Sequence, residues 1–325
     1  MTQRILIIYL ISFCFAFAVG SGFYGYGIDF HGLYTRPNLD MGDYQNWLGY
    51  RLSSLSVYGN HVGVHLLTLL LSLSTGFLFN DFCRLRSINS KFILAVFLLI
   101  ALHTWPIIMS ATNAMRQGYC MSLVFFSLSM LLQNKKKLSL FFLITSIFLH
   151  KTGIFFLIIF FNFLIIKKLI QYIKENSKRI FLFLVSIFLV IITFYSYRLF
   201  LNTGKVFRVV NGDFRFAFFL INSSFIIYFI YKYEFLLKHD IILFLYIFSC
   251  SAIPVILIGY NWQYERLNMM MTLPYIFVSG LLFNNRSIVI CWMILILTLL
   301  FLTIYQGMYN ALVDEYTFKK VRGLL

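Results

Sequence analysis

Continuous apolar runs of roughly 17–20 residues recur along this chain, with short polar breaks between them. At 1.5 Å per residue, such a run crosses a bilayer as a helix. Lipid admits only helices and closed barrels, because every backbone group must be satisfied internally. The runs are unbroken rather than alternating, so helices are the solution. Of the 325 residues, 61% are hydrophobic, against about 45–50% in a soluble domain. The runs predict spans at about 4–20, 61–79, 92–109, 117–133, 138–150, 153–166, 180–197, 216–232, 241–258, 269–283 and 287–304. The expected fold class is therefore all-α, a polytopic integral membrane protein with about 10–12 transmembrane helices. It forms one transmembrane domain over 1–325, with a larger outer loop at about 21–60 and smaller ones at about 110–116, 198–215 and 259–268. Residues 1–20 have the charge pattern of a signal peptide, but the many runs that follow favour an uncleaved first span.

The formal net charge of +16 would suggest nucleic acid in a soluble protein. In a membrane chain it is a topology signal, and no nucleic-acid partner is expected. With the N-terminus inside, loops 80–91, 134–137, 167–179, 232–240 and 284–286 face the cytoplasm and hold most of the lysines. The five cysteines lie singly, with no CxxC spacing, so neither a disulfide framework nor a zinc site is expected. His61 and His65 are four apart on one helical face, a ligand-like spacing, but no carboxylate or cysteine joins them nearby. Walker and GxSxG patterns are absent, and the GxGxxG string at Gly20–Gly25 follows an apolar span instead of joining a strand to a helix, which removes the nucleotide folds and the hydrolase elbow. No metal and no cofactor are expected.

The cations on the two sides differ in kind. Inside, lysine outnumbers arginine. Outside, before the tail, Arg36, Arg51, Arg116, Arg198, Arg208, Arg215 and Arg266 stand against Lys151 and Lys205. Topology does not ask for outer arginine. Its rigid, always-charged fork grips phosphate and carboxylate in bidentate fashion, so the outer face looks built for an anion. The competing reading pairs some of them with Asp43, Asp213 or Glu265, or lets them reach lipid headgroups.

Arg116 and Gln117 open a span at the outer surface (SATNAMRQGYC), and Pro106 breaks the span before. The segment 104–116 is expected to be a short re-entrant loop lining a wet cavity. Arginine at a helix N-terminus opposes the dipole unless an anion shares the place. The competing reading is a headgroup anchor. His150 (FLHKTG) ends another span at similar depth, as a general base, a hydrogen-bond donor to sugar, or a packing residue. The loop 259–268 (GYNWQYERLN) offers Trp262 and Tyr264 for stacking on sugar, or for the interfacial aromatic belt. It also holds Arg266 and Glu265, the outer carboxylate best placed as a base or else a salt-bridge partner. In the first outer loop, Asp43, Tyr44 and Trp47 form a polar aromatic surface or part of an interfacial helix at about 43–58. Arginines without nucleotide machinery suit an already activated substrate such as a lipid-linked pyrophosphate sugar. The pyrophosphate leaves, cations take its charge and a base deprotonates the acceptor.

These motifs in this order resemble the Wzy-type bacterial polysaccharide polymerases, in particular the EpsG-like branch. The carriers are Asp43 with Tyr44, Ser110 followed by Arg116-Gln117, the His150 of FLHKTG, and the Arg266 of ERLNMMM. The resemblance implies a metal-independent glycosyltransferase in the bacterial inner membrane that polymerises O-antigen, capsule or exopolysaccharide repeats at its outer face. It implies transfer of the growing chain from undecaprenyl pyrophosphate onto a new carrier-linked oligosaccharide repeat. It also implies a lipid-dependent, GT-C-like membrane glycosyltransferase fold, with a chain-length regulator and a flippase as pathway partners. On this view Arg116 and Arg266, with Arg215 or Arg208, hold pyrophosphate. His150 or Glu265 orients or deprotonates the acceptor, and Asp43, Tyr44, Gln117, Trp262 and Tyr264 contact sugar. The alternatives are a flippase for the lipid-linked oligosaccharide, or an outer-face O-acyltransferase or glycan ligase with His150 as its base.

Overall fold

The structure, a computed structural model, describes residues 3–22, 24–27, 30–34, 48–57, 61–203, 214–280 and 285–305. The described residues are almost wholly helical. The helices are α1 (Gln3–Gly20), α2 (Leu48–Ser53), α3 (Val62–Leu85), α4 (Lys91–Leu102), α5 (Trp105–Thr112), α6 (Met115–Leu132), α7 (Lys136–Leu149) and α8 (Thr152–Ile170), then α9 (Lys178–Thr203), α10 (Arg215–Tyr231), α11 (Tyr233–Lys238), α12 (Asp240–Ile258), α13 (Asn261–Gly280) and α14 (Asn285–Tyr305). Among the described residues, six are long and apolar enough to cross a membrane: α1, α3, α8, α9, α12 and α14. The bent pair α4 and α5 makes a seventh if counted as one span. The protein is thus a polytopic all-α membrane protein. The remaining helices of the expected ten to twelve fall short of that test by length or by polarity, as α7 does with 14 residues and α13 with its polar first turns.

Three expectations need correction. The run at 92–109 is not one continuous helix, because α4 stops at Leu102 and α5 departs at 56°. Pro106 occupies the first turn of α5, where its missing N–H costs nothing, and the helix is interrupted just before it, at the extended Thr104. Within the segment 104–116, residues 105–112 and 115–116 are helical and the backbone is irregular at 104 and 113–114; a bent pair of this kind fits a broken span or a re-entrant segment. The interfacial helix expected at about 43–58 is the six-residue α2; residues 43–47 lie outside the described residues. Finally, 259–268 is not a loop throughout, since α13 begins at Asn261. The reason is a cap: the Gln263 side chain accepts the Tyr260 N–H at 3.0 Å, the glutamine half of a capping box. The Tyr197 hydroxyl donates to the same oxygen.

The chain divides into two compact units, 1–154 with 273–325, and 155–272. In unit 1, α1 runs antiparallel to α3: Gly20 lies against His65, Gly76 against Ile8, and Arg4 donates to the Ile88 carbonyl at 2.9 Å. The glycines suit a lipid setting, where close backbone packing replaces a hydrophobic drive between helices. Helices α3 and α6 run parallel. The Tyr119 hydroxyl donates to the Gly63 carbonyl at 2.8 Å at one end, and Ser129 and Gln133 donate to the Asp81 carboxylate at the other. Helix α7 returns antiparallel to α6, with Ser127 and Ser139 hydroxyls 2.7 Å apart. Buried Phe79, Phe97, Phe277 and Trp292 form an aromatic core, each pair adding about 0.5–1.5 kcal/mol beyond area burial. The Trp105 N–H, at the start of α5, donates to the Thr303 hydroxyl of α14 at 3.0 Å. One end of this unit gathers 24–27, 30–34, 48–57, 103–115 and 149–153. With the N-terminus inside, that end is the outer one.

In unit 2, buried Tyr246 of α12 donates to the Leu182 carbonyl of α9 at 2.7 Å. Phe156 of α8 stacks on Phe248 of α12 with centroids 5.7 Å apart. Asn222 and Asn268, both buried, join α10 to α13 at 2.8 Å. Residues 167–180 and 231–240 share one end, and 197, 214–215 and 257–264 share the other.

Candidate functional site

Arg116 and Gln117 stand in the first turn of α6, which carries no acidic residue. A positive side chain at the positive end of a helix is an unfavourable placement that a bound anion relieves. The turn before it is tight. Asn113 ends α5, and a Cβ on Gly118 would lie 2.4 Å from the Ser110 carbonyl oxygen, so α5 and α6 touch backbone to backbone. The segment around Gly27 is laid over this corner, with the Gly27 N–H donating to the Thr112 carbonyl at 3.1 Å and Asn113 filling the space beside Gly27. Arg116 Nε donates to the Tyr34 hydroxyl at 3.3 Å. Gln117 is buried.

Tyr34 is itself buried and lies 6.0 Å, ring to ring, from buried Tyr50 of α2. The next α2 residue back, Gly49, presses on α7: a Cβ there would stand 2.1 Å from the Leu149 carbonyl oxygen. His150 follows directly. Arg116, Gln117 and His150 are thus brought round one small helix at one end of unit 1. Sequence reasoning missed Tyr34, Tyr50 and Gly49. Nothing in their local spacing marks them, because each acts through a contact distant in sequence.

His150 ends α7 in extended backbone. The Thr152 N–H donates to its Nδ1 at 3.2 Å, and the Thr152 hydroxyl lies 2.7 Å from the same atom. A ring nitrogen that accepts from a backbone N–H holds no proton, so the neutral ring carries its proton on Nε2. His150 is arranged to donate from Nε2 rather than to abstract a proton there.

The remaining described candidates belong to unit 2. Arg215 donates to the Leu257 and Gly259 carbonyls, both at 3.2 Å, and so caps the C-terminus of α12. Its guanidinium lies 5.2 Å from the centre of the buried Tyr264 ring. A cavity of about 350 Å³ opens beside it, lined by Arg215, Phe216, Phe219 and Leu257. Tyr264, Glu265 and Arg266 occupy the first two turns of α13, the last two half-buried and about 100° apart round the helix. Trp262 takes its place in the α13 backbone, its side chain outside the described part. Asp43, Tyr44 and Arg208 lie outside the described residues.

His65 Nδ1 lies 3.2 Å from the His61 carbonyl oxygen, and its ring packs on Gly20. Burial, then the charges of His31 and His65, hold the His61 imidazole below its ordinary range. Among the described residues, no group of three or more His, Cys, Asp or Glu side chains is placed to hold a metal ion.

A family model described as the EpsG family matches residues 1–319. No curated protein matches the chain, and no solved structure does.

Proposed function

The chain belongs to the EpsG family, and from that premise and the outer end of unit 1 we propose that it is a membrane polysaccharide polymerase acting on lipid-linked repeats. The donor is a growing glycan on a polyprenyl pyrophosphate of the undecaprenyl type, and the acceptor is a hydroxyl of a newly delivered carrier-linked repeat. The acceptor oxygen bonds to the anomeric carbon of the donor sugar, and the bond from that carbon to pyrophosphate breaks. The acceptor proton goes to a base, and the carrier leaves as its pyrophosphate.

The observation that supports this reading best is the acid-free first turn of α6, with Arg116 braced by Tyr34. Helix N–H groups and a guanidinium together match the charge that develops on a leaving pyrophosphate. His150, with its proton on Nε2, donates to a sugar or phosphate oxygen. Gln117, beside Arg116, contacts sugar. In unit 2, Arg215 caps α12 and flanks Tyr264; the roles that the resemblance implies for Glu265 as base, for Arg208 and Arg266 on pyrophosphate, and for Asp43, Tyr44, Trp262 and Tyr264 on sugar are each tested by a neutral substitution in the same ladder. The setting is the outer face of a bacterial inner membrane, with a flippase and a chain-length regulator upstream and alongside.

The test is the surface-glycan ladder of a strain lacking this gene, complemented by wild type or Arg116→Gln. Loss of long chains with a single repeat still reaching the surface supports the polymerase, and Arg116→Gln then fails to restore the ladder at equal membrane abundance. If no repeat reaches the surface and carrier-linked units accumulate inside, the protein is a flippase. A normal ladder from Arg116→Gln removes that residue from the mechanism.

A further inference from the structure

The end of unit 2 opposite the candidate residues holds a cavity of about 200 Å³, lined by Lys167, Ile170, Gln171, Lys178, Leu237, Asp240 and Leu243. We propose that it binds the headgroup of an anionic, hydroxyl-bearing phospholipid of the phosphatidylglycerol type. The cavity lies where α8 ends and where α9 and α12 begin. All three are long and apolar enough to cross a membrane, so it sits at the interface. The lysine-rich loops at 167–179 and 232–240 put that interface on the cytoplasmic side.

The lining divides by chemistry. The Lys178 side chain is 19% exposed and that of Asp240 10%, unusual withdrawal for residues that mostly face water. Lys167 pairs with Asp240, and Lys178 with Glu175 at 2.5 Å. An ammonium has three donors, and each carboxylate takes one. Lys167 and Lys178 therefore offer further donors to a phosphodiester, and the positive ends of α9 and α12 point the same way. The Gln171 amide oxygen accepts from a hydroxyl, which a glycerol headgroup supplies. Ile170, Leu237 and Leu243 give an apolar wall for the start of an acyl chain. A merely structural ion pair would be close-packed, whereas this one borders a partly open hollow of about 200 Å³. That space suits a phosphate with a three-carbon polyol. The site is independent of the polymerase reading.

The experiment is native mass spectrometry of the full chain in detergent, titrated with dioleoylphosphatidylglycerol, dioleoylphosphatidylcholine or glycerol 3-phosphate. Wild type is expected to retain one phosphatidylglycerol about tenfold more tightly than phosphatidylcholine, and to show no retained glycerol 3-phosphate. Lys178→Gln and Gln171→Leu, each checked for a monodisperse elution profile, are expected to lose that preference. Lys174→Gln, an exposed lysine outside the cavity, is expected to keep it. Equal retention of the two lipids overturns the proposal, as does undiminished preference in both cavity variants. Equal loss in Lys174→Gln would show diffuse charge attraction instead of a site. Retention of glycerol 3-phosphate as tight as that of the lipid would make the ligand a soluble phosphate ester.

Discussion

His150 turns on a single ring atom. Its Nδ1 takes the Thr152 N–H, leaving Nε2 as the donor. Asparagine can imitate both halves, with its oxygen accepting from Thr152 and its amide nitrogen donating outward. His150→Asn is expected to keep chain growth within about tenfold of wild type, while His150→Ala loses about a hundredfold or more, the range of a positioned proton donor. Rates of ladder formation at matched expression decide it, and equal losses would sink the donor role. His61 supplies a pH dependence of another kind. It stands just before α3 with its ring 4.8 Å from Phe30 and 5.9 Å from Tyr26. Burial and neighbouring histidines hold it below 6.5, so the unfolded chain binds that proton more readily. Stability is then fully present above the unfolded value and is lost as pH falls below about 6.5 toward the lower folded value. The melting temperature in detergent should drop between about pH 7.5 and about pH 5.5, and His61→Gln should flatten the drop. An unchanged slope in that variant would assign the effect elsewhere. Sequence spacing singled out His61 beside His65, which is one of the two histidines that lower it; the other, His31, and the rings of Tyr26 and Phe30 beside it come from before α2 and carry no periodic signal.

At the scale of elements, α2 is six residues long and holds its place by close approach rather than by length. Gly49→Ala sets a methyl group against the Leu149 carbonyl, and a backbone oxygen cannot swing aside. Helix α2 must lift from α7, at about 1–3 kcal/mol. The expected result is a shortened glycan ladder together with faster proteolysis at 48–57. Wild-type behaviour in both assays would mean that α2 does not organise the site. Helix existence was readable from apolar runs, because covering a span with lipid-compatible residues is a local demand. The break between α4 and α5 was readable from Pro106, though its position was not. The start of α13 escaped, because its cap draws on Gln263 and on Tyr197, a residue 66 positions earlier. Tyr34, 82 positions from Arg116, escaped for the same reason.

For the molecule as a whole, the contacts within unit 1 sort its loops to two opposite ends, in agreement with the distribution of lysine. A membrane-impermeant maleimide applied to intact spheroplasts should label Ser56→Cys, at the end that holds Arg116, above the native cysteine background. Asn89→Cys, at the other end, should label only after permeabilisation. The reverse pattern would turn the protein over and place the arginines in the cytoplasm. The bond between Trp105 and Thr303 joins positions 198 residues apart. A ribosome delivering about 5–20 residues per second needs roughly 10–40 s to pass from one to the other. The corner that leads into Arg116 is made well before the hydroxyl that closes it, which arrives with α14. During that interval the break between α4 and α5 is held without this tie, so the corner beside Arg116 is set only after α14 has been made.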